Sequence, residues 1–92
     1  MTSSYKISGG KLVKIRLWIE NGRIQRITIL GDFFLHPEET ILAIEKSLTG
    51  VELNMGSIEN RIAKILNESK ADLIGATPKD IANAIKLAWE SS

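Results

Sequence analysis

The sequence predicts an α+β domain: a three-stranded antiparallel sheet with a β-hairpin at its centre, followed by about three helices packed on one face. Three observations carry this. Apolar residues alternate with polar ones on both sides of Asn21-Gly22, the period of half-buried strands. Beyond His36 the apolar spacing lengthens to that of amphipathic helices. Strands come first and helices after, an order that fits helices segregated to one side of an antiparallel sheet.

Tyr5–Ser8 reads as a short first strand, ended by Gly9-Gly10. Val13, Ile15, Leu17 and Ile19 then alternate with Lys14, Arg16, Trp18 and Glu20, so the second strand has one apolar and one polar face. Asn21-Gly22 suits a tight hairpin turn because both residues tolerate positive φ. The third strand runs from Arg23 to about Leu30. A plain two-residue turn would pair Ile19 with Ile24 but set Leu17 against Arg26. A β-bulge near Gln25–Arg26 restores Leu17 to Ile27 and Ile15 to Ile29. Gly31-Asp32-Phe33-Phe34 ends the sheet. His36-Pro37-Glu38-Glu39 predicts a helix entry with proline at the first helical position and carboxylates in the first turn. Ile41, Ile44 and Leu48, flanked by Leu42, form that helix's apolar stripe, and Gly50 ends it. Ser57 is the expected cap of a second helix with Ile58, Ile62, Ile65 and Leu66 on one face. Thr77-Pro78-Lys79-Asp80 fits a capping box for a third, bearing Ile81, Ala84, Ile85 and Ala88. Val51–Gly56 and Lys70–Ala76 read as connectors.

The 92 residues read as one domain, 1–92. A chain of this size buries only roughly 60–65% of the surface its unfolded form exposes, so its core is thin and a partner surface would help it. Net charge is +1, from 12 basic and 11 acidic residues, which exerts no general pull towards nucleic acid or an anionic membrane. No apolar run is long enough to span a bilayer, and the first six residues lack the apolar core of a signal peptide. The expected compartment is the cytoplasm. Cysteine is absent, which removes disulfides, thiolate nucleophiles and cysteine metal sites together. His36 is the one histidine, so no histidine pair can hold a metal. These gaps favour an accessory or binding role over an autonomous enzyme.

Two stretches stand out as candidate sites. Gly9-Gly10-Lys11 has the look of a phosphate grip but lacks the glycine and the Ser or Thr of a P-loop, and its lysine opens a strand rather than a helix. It is either a flexible turn with Lys11 on the surface, or a glycine-rich edge that lets backbone approach a ligand or partner closely. Gly31-Asp32-Phe33-Phe34 is a strand-to-helix corner. Adjacent phenylalanines in an extended segment cannot both point inward, so one is free to serve as an interface anchor. Asp32 caps or turns the chain. Trp18, on the polar face of its strand, is either covered by a helix or exposed for a partner. His36 reads as a cap or surface residue, and Glu38-Glu39 and Glu45-Lys46 as a solvated helix face. Lys6, Lys11, Lys14, Arg16, Arg23 and Arg26 concentrate in the first third, with Lys14, Arg16 and Arg26 sharing the sheet face opposite the apolar one. If helices cover only one face, this positive face is open to an acidic partner or a phosphate-bearing ligand, or is merely solvated.

Taken in order, Gly9-Gly10-Lys11-Leu12, Asn21-Gly22, Gly31-Asp32-Phe33-Phe34 and Pro37-Glu38-Glu39 resemble the C-terminal accessory domain of lipoate–protein ligases, and "ATPKDIANAIKLAW" is similar to that family's closing helix. The resemblance covers nearly the whole chain. Some ligases of the family, notably archaeal ones, are split, with the accessory domain as a separate small subunit beside a catalytic subunit. It implies a fold similar to iron–sulfur scaffold and sulfur-acceptor proteins, whose cysteine chemistry this chain cannot perform. It implies a heterodimer with the catalytic subunit, and an indirect role towards the lipoyl-acceptor protein. The implied reaction joins lipoate and ATP into lipoyl-adenylate and pyrophosphate, then passes the lipoyl group to an acceptor lysine. The catalytic lysine and adenylate pocket belong to the large subunit, so no catalytic residue, metal or cofactor is assigned to this chain; ATP and lipoate are held by the assembled ligase. The residues expected near the partner and its active site are Gly9, Gly10, Lys11, Gly31, Asp32, Phe33 and Phe34, with Lys11 the candidate neighbour of the phosphates. The rival reading is a free-standing binding module of the same fold.

Overall fold

The computed structural model describes residues 1–91. The chain runs β1 (Thr2–Lys6), β2 (Leu12–Glu20), β3 (Arg23–Gly31), β4 (Phe34–His36), α1 (Thr40–Leu48), α2 (Met55–Glu68), β5 (Asp72–Ile74) and α3 (Pro78–Glu90). The expected α+β arrangement is present. Strands β1, β2 and β3 form an antiparallel sheet in that spatial order, so β2 lies in the middle with the hairpin on one side of it. Alternation does what it must: Val13, Ile15 and Leu17 of β2 and Ile24, Ile27 and Ile29 of β3 are buried, while Lys14, Arg16, Trp18 and Arg26 face away.

The bulge falls where the apolar phase requires it. Ile19 pairs with Ile24 and Trp18 with Arg26, leaving Gln25 as the extra residue; beyond it Leu17 meets Ile27 and Ile15 meets Ile29. The first strand begins and ends earlier than Tyr5–Ser8. Its ladder pairs Thr2 with Arg16 through Lys6 with Leu12. The long β2 offers backbone groups along that whole edge, and each needs a partner. The Gly9-Gly10 turn claims Ile7 instead: Gly10 N–H donates to Ile7 C=O at 3.0 Å, and Ile7 N–H to Lys11 C=O at 2.8 Å.

The helices cover one sheet face. α1 packs on β3, α3 on β2 and β1, and α2 lies against both helices. Ile44 and Leu48 of α1, Ile58 and Ile62 of α2, and Ile81, Ala84, Ile85 and Ala88 of α3 are fully buried together with the inward residues of β2 and β3. α3 is further tied to β1, with Ser3 Oγ–H donating to Ala84 C=O at 2.7 Å. The capping box is present: Thr77 Oγ1 accepts from Asp80 N–H at 3.1 Å, and Asp80 Oδ2 accepts from Thr77 N–H at 2.9 Å.

Three local readings are corrected. Pro37 is not at the first helical position. His36 is spent as a strand residue opposite Asp72, so 37–39 become a turn whose carbonyls accept from Thr40, Ile41 and Leu42 N–H at 3.1–3.2 Å, and α1 starts only at Thr40. α2 starts before Ser57, capped by Asn54, whose Oδ1 accepts from Ser57 N–H at 3.0 Å. The connector at 70–76 contains β5, paired antiparallel with β4 in a second, two-stranded ribbon.

The β3 edge is not left bare. Ile24 exchanges backbone hydrogen bonds with Val51 C=O and Gly50 N–H at 3.0 and 2.7 Å. Further along, Ile29 N–H donates to Glu45 Oε2 at 2.7 Å, so Glu45 is half-buried and closes the edge rather than belonging to a solvated face. The exposed Arg23–Glu52 pair, at 3.0 Å, adds little stability but marks the same seam.

Deleting Gln25 should preserve every inward pairing, because it removes only the residue without a cross-strand partner. Deleting Thr28 should turn Ile29 outward, since a one-residue slip exchanges the two faces. Denaturant melts followed by circular dichroism check this: a cooperative transition is expected for the first deletion and its loss for the second.

Candidate functional site

The two stretches singled out in the sequence meet at one end of the sheet. Antiparallel pairing sets the start of β2 beside the end of β3, with Val13 opposite Gly31. Just past that pair, Leu12 N–H donates to Asp32 Oδ1 at 2.6 Å and Asp32 N–H donates to Leu12 C=O at 3.2 Å. Asp32 is therefore a clamp that closes the strand ends, and its carboxylate is occupied in doing so.

Gly31 is required by space rather than by dihedral angle. A Cβ built there would sit 2.5 Å from the Leu12 carbonyl oxygen and 2.6 Å from the Phe33 ring. Gly9, by contrast, has φ of +101° and open space around it, so its need is purely conformational. The chain leaves Gly31 with Phe33 turned inward against the core and Phe34 turned out, 69% exposed, as alternation demands. Leu35 points in again and is buried.

β4 and β5 give this corner its second side. Phe34 lies directly across from Ile74, itself 64% exposed, so two large apolar side chains stand together in solvent. Lys11 completes the group. Its side chain passes over Gly75, with Cε 3.5 Å from where a Cβ there would stand, and its ammonium lies 5.9 Å from the Phe34 ring centroid, a cation–π approach. An open groove of about 320 Å³ runs beside it, lined by Leu30, Phe33, Phe34, Glu38 and Ile41 among others. All seven candidate residues thus belong to one end of the molecule. His36 lies in β4 opposite Asp72, exposed.

The β4–β5 ribbon, and with it Ile74 and Gly75, was not legible in the sequence. Its strands are three residues each, too short for a period, and their partners are far apart in the chain. The adjacent phenylalanines were the available signal, since an exposed Phe34 needs a neighbour.

Residues 1–85 match the family model described as "Bacterial lipoate protein ligase C-terminus". The chain belongs to this family. It is also similar to a protein of Thermoplasma acidophilum named lipoate-protein ligase A subunit 2, 30% identical over 76 residues that cover 83% of this chain and 78% of the relative. Among solved structures it resembles a chain from an archaeal lipoylation system of the same organism, described as a bi-partite lipoate protein ligase and its E2 lipoyl domain. That similarity has a TM-score of 0.77 at 28% identity and covers 91% of each chain. The lipoate–protein ligase C-terminal family match begins at residue 1 and so takes in the sheet, the clamp at Asp32 and the β4–β5 ribbon together.

The two glycines should respond differently to alanine. Gly31→Ala forces a Cβ into backbone and should cost about 1–3 kcal/mol as overpacking does. Gly9→Ala strains only φ and should cost about 1–2 kcal/mol. Urea titrations in which either variant is as stable as wild type would contradict this account.

Proposed function

We propose that this chain is the non-catalytic accessory subunit of a bipartite lipoate–protein ligase, acting with a separate catalytic subunit in the ATP-dependent activation of lipoate to lipoyl-adenylate. The lipoyl group then passes to a lysine of an acceptor domain. The cytoplasm is the compartment this role implies. Family membership and the similarity to a protein named subunit 2 support the reading. The structural observation that carries it is the corner itself. Phe34 and Ile74 stand exposed opposite each other on a ribbon braced by the Asp32 clamp, which is how an interface anchor is presented.

The corner supplies surface more than chemistry. Asp32 is committed to Leu12 N–H, and among the described residues Lys11 makes no ion pair with a carboxylate that could serve as its base. A rigid apolar corner with one cation at its rim suits the ordering of a partner's active-site loops. In that setting Lys11 would neutralise negative charge developing on a bound nucleotide. ATP and lipoate belong, in this reading, to the assembled ligase.

Pyrophosphate release and lipoyl-adenylate formation by the catalytic subunit, with and without this chain, test the role. The rate should rise when the chain is added; equal rates would refute the accessory function, and a chain that stays a monomer beside the ligase would favour a free-standing module. Phe34→Ser should weaken the complex by about 2 kcal/mol, roughly 30-fold in dissociation constant, while leaving the fold intact because the ring is exposed. Lys11→Ala should leave the complex formed and slow adenylation.

A further inference from the structure

The sheet face turned away from the helices carries Lys6, Lys14, Arg16 and Arg26, all exposed. The register crowds them: Lys14 and Arg16 stand two residues apart on one strand, and Arg26 lies opposite Trp18. Among the described residues none of the four makes an ion pair or a side-chain hydrogen bond, and Arg26 rests on the Trp18 ring, 5.0 Å from its centroid. The chain does not lack acids; apart from Glu20 and Asp32 they all lie beyond residue 37. Glu20 sits at the hairpin end and Asp32 is tied to Leu12, so neither neutralises the middle of the face. The near-zero net charge hides a strong segregation.

This face is continuous with the Phe34–Ile74 corner. Leu30, 55% exposed and paired with Lys14, lines both the groove beside Phe34 and a hollow bordered by Ser4, Lys14 and Arg16. A stable subunit interface takes about 800 Å² from each partner. One exposed aromatic contributes only about 150–250 Å². Phe34, Ile74 and Leu30 together fall short, so an interface centred on the corner has to extend, and past Leu30 it meets the cations. Unpaired like charges at neighbouring positions repel in the free chain and are relieved by an opposing acidic surface.

We infer that the interface with the catalytic subunit runs from the Phe34–Ile74 corner across Leu30 on to the cationic sheet face, and that this face receives an acidic surface of that subunit. The inference rests on the accessory-subunit reading. The apolar corner supplies the lasting contact; the cations speed encounter and set the register of docking.

Binding of the full chain to the catalytic subunit, followed by calorimetry as sodium chloride is raised from about 0.1 M to about 1 M, tests it, because the screening length falls from about 10 Å to about 3 Å over that range. Wild-type affinity should fall with salt. The double variant Lys14→Glu/Arg16→Glu should bind at least about tenfold more weakly at the low-salt end and lose the salt dependence. Lys14→Gln/Arg16→Gln should lie between, and Lys64→Glu/Lys86→Glu, on the helices, should match wild type. Thermal melts equal to wild type show that the variants fold. An unchanged affinity and salt slope in both sheet-face variants overturns the inference while leaving the accessory role standing. Unchanged subunit binding with slowed lipoyl transfer also overturns it, assigning the face to the acceptor domain. If wild type itself fails to bind the catalytic subunit, the accessory reading falls, and this inference with it.

Discussion

The register of β2 against β3, kept in phase by the two-against-one bulge at Gln25, is the constraint on which the rest of the molecule depends. It keeps Ile24 inward near the turn and Ile27 and Ile29 inward beyond it, so one sheet face is apolar along its whole length. α1 and α3 can pack only on such a face. The same register sends Arg26 to Trp18 on the other side and brings Gly31 opposite Val13. Core, cationic face and corner are therefore three consequences of one register, which the bulge preserves by taking Gln25 out of the ladder.

From that register the corner follows by short-range chemistry. Asp32 arrives where Leu12 N–H needs a partner, and Gly31 leaves room for the Leu12 carbonyl and the Phe33 ring to approach. Phe33 goes in, Phe34 goes out, and Leu35 goes in. Pairing with β5 then fixes Phe34 beside Ile74 and places Gly75 beneath Lys11. The strand pairings hold the backbones of Gly31, Phe34 and Ile74, and Phe34 and Ile74 stay exposed.

The fold also shows how a small domain protects one surface and offers another. The β3 edge is closed by Gly50, Val51 and the Glu45 carboxylate, which removes a template for unwanted strand pairing. The open sheet face carries exposed cations that make no ion pair among the described residues, and such like charges discourage association between copies of the chain. Helices and sheet make the core, while the far face and the corner stay exposed.

The sequence by itself determined the hairpin, its bulge, the three helices, the cap at Thr77 and the outward turn of one phenylalanine. Each is a local matter: period, phase, turn chemistry and capping act over a few residues, and any packing must respect them. The family resemblance was legible for a related reason, since its motifs mark the turns and ends of those elements. Only the tertiary structure decided the rest. β4 and β5 are too short to announce themselves and exist because residues distant in sequence met. Their pairing took His36 from the helix start and delayed α1 to Thr40. Glu45 became an edge closure because packing brought it to Ile29, and Asp32 became a clamp because the hairpin register brought it to Leu12. Contacts of this kind are made by the folded chain as a whole, and no window of the sequence contains both partners.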